Sequence, residues 1–204
     1  MGKDLTFEEI TNHLMNDELP SVYFNSLDKE LETYPLNMLA KLKNVEQSEK
    51  YHPEGNVWNH TMMVVDEAAK IRDRCNDARA VMWAALLHDI GKPDTTKVRK
   101  GRITSYDHDV VGARLAEKFL EFYTEDTDFI KKVSLMVKYH MHMLYVLKDL
   151  PFGDPARLVK EADIHDIALL CRCDRLGRSG ADKIEEEKNY KNFLEKLNNY
   201  KVQA

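Results

Sequence analysis

The stretch that most constrains this chain is Val81–Leu87, seven consecutive apolar residues. It leads directly into His88-Asp89 and stops at Gly91, with Pro93 just beyond. Glycine followed by proline marks a helix C-terminus. Asp77 is a fitting N-cap, so a strongly apolar helix over about residues 78–90 ends in two side chains of the kind that ligate metals. His88 follows Val81, Ala84 and Ala85 along one stripe, because residues three, four and seven apart share a helix face. The same placement recurs elsewhere. His60 precedes Val64 and Ala68, His140 follows Val133 and Val137, and Asp174 follows Ile167, Leu170 and Cys171. Taken singly, each histidine also reads as a core residue with its own hydrogen-bond partners, and Asp174 as a partner of Arg172, Arg175 or Arg178. Taken together they pose one problem. A buried carboxylate costs several kcal/mol unless paired or metal-bound, and buried imidazole nitrogens need partners. One cation at their convergence meets all of these demands.

The remaining pattern is helical. Thr6-Phe7-Glu8-Glu9 reads as a capping box, and its helix ends before Pro20. Helical pieces over 26–33 and 36–42 are separated by Pro35. The polar segment 48–56, with Pro53 and Gly55, is a loop. Asn56 caps a helix over 57–74, and further helices are expected over 108–123, 126–147, 166–176 (with Asp166 as N-cap) and 181–200. The last is highly charged and is expected on the surface. Residues 94–106 alternate β-branched and charged side chains around Lys100-Gly101, which suits a small hairpin or ordered loop. The expected fold is an all-α helical bundle with that hairpin. Residues 1–50 form an N-terminal helical extension on a metal-binding core at 51–180, and 181–204 form a C-terminal charged helix of the same domain.

Composition excludes several classes. The chain has 204 residues, 43% of them hydrophobic, with a formal charge of −5, so nothing pulls it globally toward nucleic-acid backbone, although a local basic patch is compatible with that total. The apolar runs are too short to span a membrane, and MGKDLTFEEI has no signal core. Three cysteines without a C-x-x-C point to a cytoplasmic protein with no disulfide-linked partner. No phosphate-cradling P-loop is present.

The series His60, His88-Asp89 and Asp174 resembles the HD superfamily of metal-dependent phosphohydrolases, and Leu86 through Pro93 resembles that family's signature in its HDIG form. The chain looks most like the HD domain carried by some bacterial tRNA nucleotidyltransferases. That likeness covers roughly residues 25–180. It rests on Val45-Glu46-Gln47, His52 through Thr61, Ala85 through Pro93, Thr95-Thr96, Gly101 through Thr104, His108 through Ala113, Tyr139-His140-Met141 and Asp174 through Arg178. The nucleotidyltransferase head needs a Gly-Ser loop before paired carboxylates on a strand. Asp126-Thr127-Asp128 lacks that context, so the expectation is a hydrolase module that adds no nucleotides.

The resemblance implies that His60, His88, Asp89 and Asp174 ligate a divalent metal, and this mixed nitrogen–oxygen set suits Mn, Fe, Co, Ni, Zn or Mg. It implies attack of metal-bound hydroxide on a phosphate mono- or diester. The expected substrates and partners are nucleotides, 2′,3′-cyclic phosphates or RNA ends. Lys92 and Arg178 are candidates to neutralise phosphoryl charge, or are solvated surface charges. His108 and His140 either complete a second metal site, with Asp89 bridging, or bind phosphate and move protons. Asp89, Lys92, His108 and His140 are thus the candidate catalytic residues, and His52 lines the pocket mouth. His142, two residues from His140, is expected to face away, while His13 and His165 read as incidental. Two other classes remain open: a di-iron oxygenase of HD type, and a nucleotide-binding module without turnover.

Overall fold

A computed structural model describes residues 5–203. Its centre is helix α5, Ala78–Leu87. Every residue from Ala80 to Leu87 is fully buried, as expected of a helix that is apolar all round. Helix α1 (Phe7–Asn16), α4 (Val57–Ala69), α8 (Thr127–Tyr139) and α11 (Ile164–Leu176) pack against it. Helix α2 (Pro20–Ser26) lies on α4, and α7 (His108–Glu121) runs along α8. The short helices α3 (Asn37–Ala40), α6 (Lys92–Thr95), α9 (His142–Leu147) and α10 (Pro155–Glu161) join these, and α12 (Lys183–Gln203) closes one side. The all-α reading holds. Among the described residues no helix is long and apolar enough to cross a membrane.

Capping chemistry sets several helix starts. Thr6 accepts from the Glu9 amide, Asn56 from that of Asn59, Asp77 from that of Ala80 and Asp126 from that of Phe129, each at 2.9–3.1 Å. Such caps are each worth about 1 kcal/mol. The expected hairpin also forms. Strand β1 (Thr96–Arg99) pairs antiparallel with β2 (Arg102–Ser105). Lys100 and Gly101 both have positive φ, at 50° and 73°, as the tight turn of a two-residue hairpin requires.

Several boundaries differ from the sequence expectation. Helix α4 stops at Ala69, and 72–74 is a single 3₁₀ turn. The segment expected as one helix over 126–147 breaks at His140-Met141 into α8 and α9. The 26–33 piece is only a 3₁₀ turn at Glu30–Glu32, while the unexpected helix α2 starts at Pro20, a residue whose fixed φ favours the first helical position. Asp166 is not an N-cap. Asp163 caps α11, accepting from the His165 and Asp166 amides. Asp166 instead accepts from the Asn76 and Asp77 amides at 2.8 Å each, bracing the start of α5 against the start of α11. Helix α12 is charged but not merely superficial: it buries Tyr190, Phe193 and Leu197 against α9, α10 and α11.

Gly91 serves packing, with no left-handed conformation to account for it. A Cβ there would lie 2.2 Å from the His108 carbonyl oxygen and 2.6 Å from the Gly112 amide nitrogen. Neither backbone atom can yield without shifting α7. Gly91→Ala is therefore expected to destabilise the fold by about 2 kcal/mol, lowering Tm by roughly 4–8 °C in a thermal melt. An unchanged Tm would show that α7 is not held by this contact.

Candidate metal centre

Six ligating side chains converge from five places. Helix α4 brings His60 and the end of α5 brings His88-Asp89. The first turn of α7 brings His108, the α8–α9 break brings His140, and the last turn of α11 brings Asp174. All are buried, with Asp89 at 1% exposure and His60 and His88 at 0%. They form two triads, His60/His88/Asp174 and Asp89/His108/His140, each with its ligating atoms within 4.8 Å of one another. The Asp89 carboxylate lies between them. Its Oδ2 is 3.2 Å from His88 Nε2 and 3.9 Å from His60 Nε2, while its Oδ1 is 3.5 Å from His108 Nε2 and 3.8 Å from His140 Nε2. His60 Nε2 is 2.9 Å from Asp174 Oδ1, and the Nε2 atoms of His108 and His140 are 3.2 Å apart.

The hydrogen bonds at the far side of each ring decide which nitrogen is free. His88 Nδ1 lies 2.8 Å from the Ala85 carbonyl, His108 Nδ1 2.7 Å from that of Ser105, and His140 Nδ1 2.6 Å from that of Val137. A carbonyl only accepts, so each Nδ1 carries the hydrogen and each Nε2 turns a lone pair toward the centre, the arrangement of metal-ligating histidines. His60 Nδ1 likewise faces acceptors, Glu54 Oε1 at 3.0 Å and the Gly177 carbonyl at 3.3 Å, while its Nε2 faces Asp174 Oδ1. His88 Nε2 and both Asp89 oxygens are buried without an aligned hydrogen bond. Lys92 Nζ is 2.7 Å from Asp89 Oδ2, but as an ion pair whose angle is wrong for a hydrogen bond. Orphaned buried acceptors facing inward from two triads fit a divalent cation.

The electrostatics agree. Burial opposes ionisation of Asp89, yet Lys92 and His88 hold its carboxyl well below the ordinary range. Asp174 is likewise held low against burial by Arg178 and His60. Burial pushes His108 down to about 3 and lowers His140 also, with His88 adding to it. The carboxylates of Asp89 and Asp174 are thus held anionic and His108 and His140 uncharged, the forms that ligate metals, whereas Asp174 and Glu54 raise His60 against the effect of its burial.

These groups line a cavity of about 910 Å³, at the upper end of the ordinary ligand-pocket range. Asp89, His108, His140 and Asp174 reach its wall, as do Lys92, Arg178 and His52.

The HD domain family model matches residues 57–168. This chain belongs to the HD domain family. HD domains bind divalent metals and are in general metal-dependent hydrolases. Similar curated proteins carry the name Multifunctional CCA protein. That of Actinobacillus pleuropneumoniae serotype 5b is 28% identical over 175 residues, covering 81% of this chain and 42% of its own length. That of Pasteurella multocida is 26% identical over 194 residues, covering 89% and 46%. That of Pseudomonas fluorescens is 28% identical over 187 residues, covering 87% and 44%. The chain spans less than half the length of these relatives.

The HD domain also holds residues that sequence reasoning missed. Glu54 Oε1 contacts both His52 Nδ1, at 2.8 Å, and His60 Nδ1. Burial opposes its ionisation, but these and backbone hydrogen bonds hold its carboxyl down at about 2. An acidic residue between two histidines in 52–60 was the available signal. Gln47 is the other, accepting from Lys92 Nζ at 2.6 Å. His142 corrects an expectation: it is buried at 5% exposure. Its Nε2 accepts from the Asp154 amide at 3.3 Å, and its ring meets Tyr139 and Tyr145 edge-on. The α8–α9 break redirects the chain, so helical spacing from His140 no longer applies. His13 pairs with Asp17 and stacks on Tyr23, while His165 meets the Arg74 carbonyl. Neither belongs to the two triads.

A ligand that binds only the folded state stabilises it by mass action, by about 2.7 kcal/mol at a hundredfold excess over Kd. Divalent metal added to chelator-stripped protein is therefore expected to raise Tm. His88→Ala is expected to lose most of that increment. A melt in which metal leaves the parent's Tm unmoved would contradict the fit.

Proposed function

We propose that this HD domain is a metal-dependent phosphohydrolase acting on phosphate mono- or diesters: nucleotides, 2′,3′-cyclic phosphates or RNA ends. One observation carries the reading: His88 Nε2 and the two Asp89 oxygens, buried and without aligned hydrogen bonds, belong to a six-donor cluster at a cavity that Lys92 and Arg178 also line. In this reading His60, His88, Asp89 and Asp174 hold one divalent ion, and His108 and His140 with Asp89 hold a second. The ions are Mn, Fe, Co, Ni, Zn or Mg, which accept such mixed donors. When bound they supply Lewis-acid polarisation of a phosphoryl oxygen and a water of lowered pKa.

The protein's own groups then have separate tasks. Lys92 Nζ donates to Gln47 and stands beside Asp89, and the side chain lines the cavity. It neutralises charge growing on the phosphoryl oxygens. Arg178, 3.5 Å from Asp174 Oδ2, supplies a planar donor from another part of the wall. Burial first, then Lys92, lowers His52 to about 4. It is therefore neutral, its Nδ1–H is held by Glu54, and its Nε2 is left to accept from a substrate hydroxyl. Glu54 is a positioning residue that fixes the tautomer of His60. Residues 51–180 form the metal-binding unit in this proposal, with 1–50 packed on it and 181–204 as its closing helix.

The six-donor set also suits an iron pair engaged in oxidation. Oxygen consumption by iron-loaded protein, without ester hydrolysis, would favour that reading instead.

A screen of phosphomonoesters and cyclic phosphates, run with metal analysis of the same sample, tests the proposal. Activity is expected to vanish on chelation and to fall at least a hundredfold in His88→Ala and Asp89→Ala; full activity in both variants would refute it. His140→Ala is expected to retain one ion per chain where the parent holds two. Glu54→Ala is expected to weaken metal affinity by about 10–100-fold with little change in Tm of the stripped protein. Unaltered affinity would remove Glu54 from the positioning role.

A further inference from the structure

The hairpin carries four cations in six residues, Lys97, Arg99, Lys100 and Arg102, with no carboxylate between Asp94 and Asp107. All four are exposed. Among the described residues none of them is in an ion pair, whereas Lys132, Arg172 and Arg175 each are. The strand register sets Arg99 directly opposite Arg102 and Lys97 opposite Thr104. Side chains alternate along a strand and directly opposed residues share a face, so Lys97, Arg99 and Arg102 stand on one face with Thr104. Like charges directly opposed destabilise a two-stranded ribbon. An anion across that face relieves the repulsion.

The position of this face identifies the anion. Thr104 and Tyr106 line the cavity, so the cationic face runs from the cavity rim to the hairpin tip. Arg102 is three residues up β2 from Ser105, whose carbonyl meets His108 at the metal centre. Three strand residues span about 10 Å. A phosphate held at the centre does not reach Arg102, but a chain of phosphates does, because a stacked strand carries one charge per about 3.4 Å. The cavity mouth also offers stacking surfaces. Tyr51 and Tyr106 are 59% and 57% exposed, with Lys50 and Arg99 5.3 Å and 5.2 Å from their ring centres. Exposed aromatics beside cations suit unpaired bases, which bind by stacking while their phosphates meet lysine and arginine. Duplex bases do not present those faces.

We infer that the β-hairpin is an arm that holds a single-stranded nucleic acid whose terminal phosphate ester enters the cavity. This rests on the phosphate-ester reading of the cavity. A mononucleotide would leave Lys100 and Arg102 without a partner, and an anionic membrane would leave the tyrosine-lined mouth unused.

Fluorescence anisotropy of a labelled single-stranded oligoribonucleotide, with the full chain in chelator so that nothing is hydrolysed, tests the arm. The parent is expected to bind with an affinity that falls steeply with salt, by a log–log slope of about −0.7 per phosphate contacted. The variant Lys97→Gln/Arg99→Gln/Lys100→Gln/Arg102→Gln is expected to bind at least tenfold more weakly, with a slope shallower by about 2–3. Should that variant fail to fold, Arg102→Gln alone decides. It is expected to weaken binding while leaving Tm equal or higher, since it removes the like-charge pair. Three results would overturn the inference: no binding by the parent at low salt, equal binding by folded variants, or variants that lose phosphatidylglycerol vesicles but not RNA. Intact binding in a protein that hydrolyses no ester would count against the proposed activity and leave the arm standing.

Discussion

The structure depends on keeping charge and lone pairs inside a helical core, and element ends make this feasible. The last four carbonyls of a helix lack intrahelical partners. Ala85 and Val137 lie in the last turns of α5 and α8, and their carbonyls accept from His88 and His140. Ser105, the last residue of β2, does the same for His108. One set of spare acceptors thus satisfies the backbone and locks three ligand tautomers. Asp89 shows the opposing cost. It follows the C-terminus of α5, where the helix dipole is negative and disfavours an anion. Lys92 offsets part of this, and a cation between the triads offsets more.

Close backbone approach makes the cluster tight. Gly91 lets α7 touch the end of α5, which sets His108 beside Asp89. Gly177 does the corresponding work for the other triad: a Cβ there would lie 2.4 Å from Val64 Cγ2 and 2.9 Å from the Val64 amide nitrogen. Its carbonyl meets His60 Nδ1. The end of α11, which carries Asp174, is thereby fitted against α4, which carries His60. Both glycines stand where two ligand-bearing elements meet, so van der Waals contact and ligand geometry are set by the same atoms.

Much of the centre was legible because burial leaves a periodic trace. His60, His88, His140 and Asp174 each continue an apolar stripe, and no local sequence property other than an inward-facing position explains four such stripes. The hairpin was legible from its turn residues, and α5 from its caps. Other features left no such trace. The α8–α9 break falls at His140-Met141, with neither proline nor glycine to mark it, so the spacing argument placed His142 outward when it is buried. Asp166 resembles an N-cap in sequence, and only the approach of α5 reveals that it serves two amides on another element. The buried apolar residues of α12, Tyr190, Phe193 and Leu197, are spread thinly among charged and polar ones. Glu54 was hidden because its role exists only once His52 and His60 have folded around it.

The two charge excesses of this molecule are opposite in sign and differ in how the fold treats them. At the centre, Asp89 and Asp174 are buried, and Lys92 and Arg178 stand within 2.7 Å and 3.5 Å of their oxygens. The low interior dielectric makes any uncompensated charge there costly, so the protein supplies partial compensation from its own chain. On the hairpin the solvent tolerates four cations that form no ion pair among the described residues, and the opposed arginines cost only about the 0.2–1 kcal/mol of a cross-strand pair. A site that takes a small, strongly held cation must be built into the core, where withdrawal from water makes the interaction strong. A surface that takes an extended anion needs weak, repeated, accessible charges, because each contact adds little and must be released in turn. In the proposed reading the deep anionic side chains and the shallow cationic ribbon on one cavity wall are therefore complementary: the first would hold the cation that meets a reacting phosphate, and the second would hold the chain attached to it.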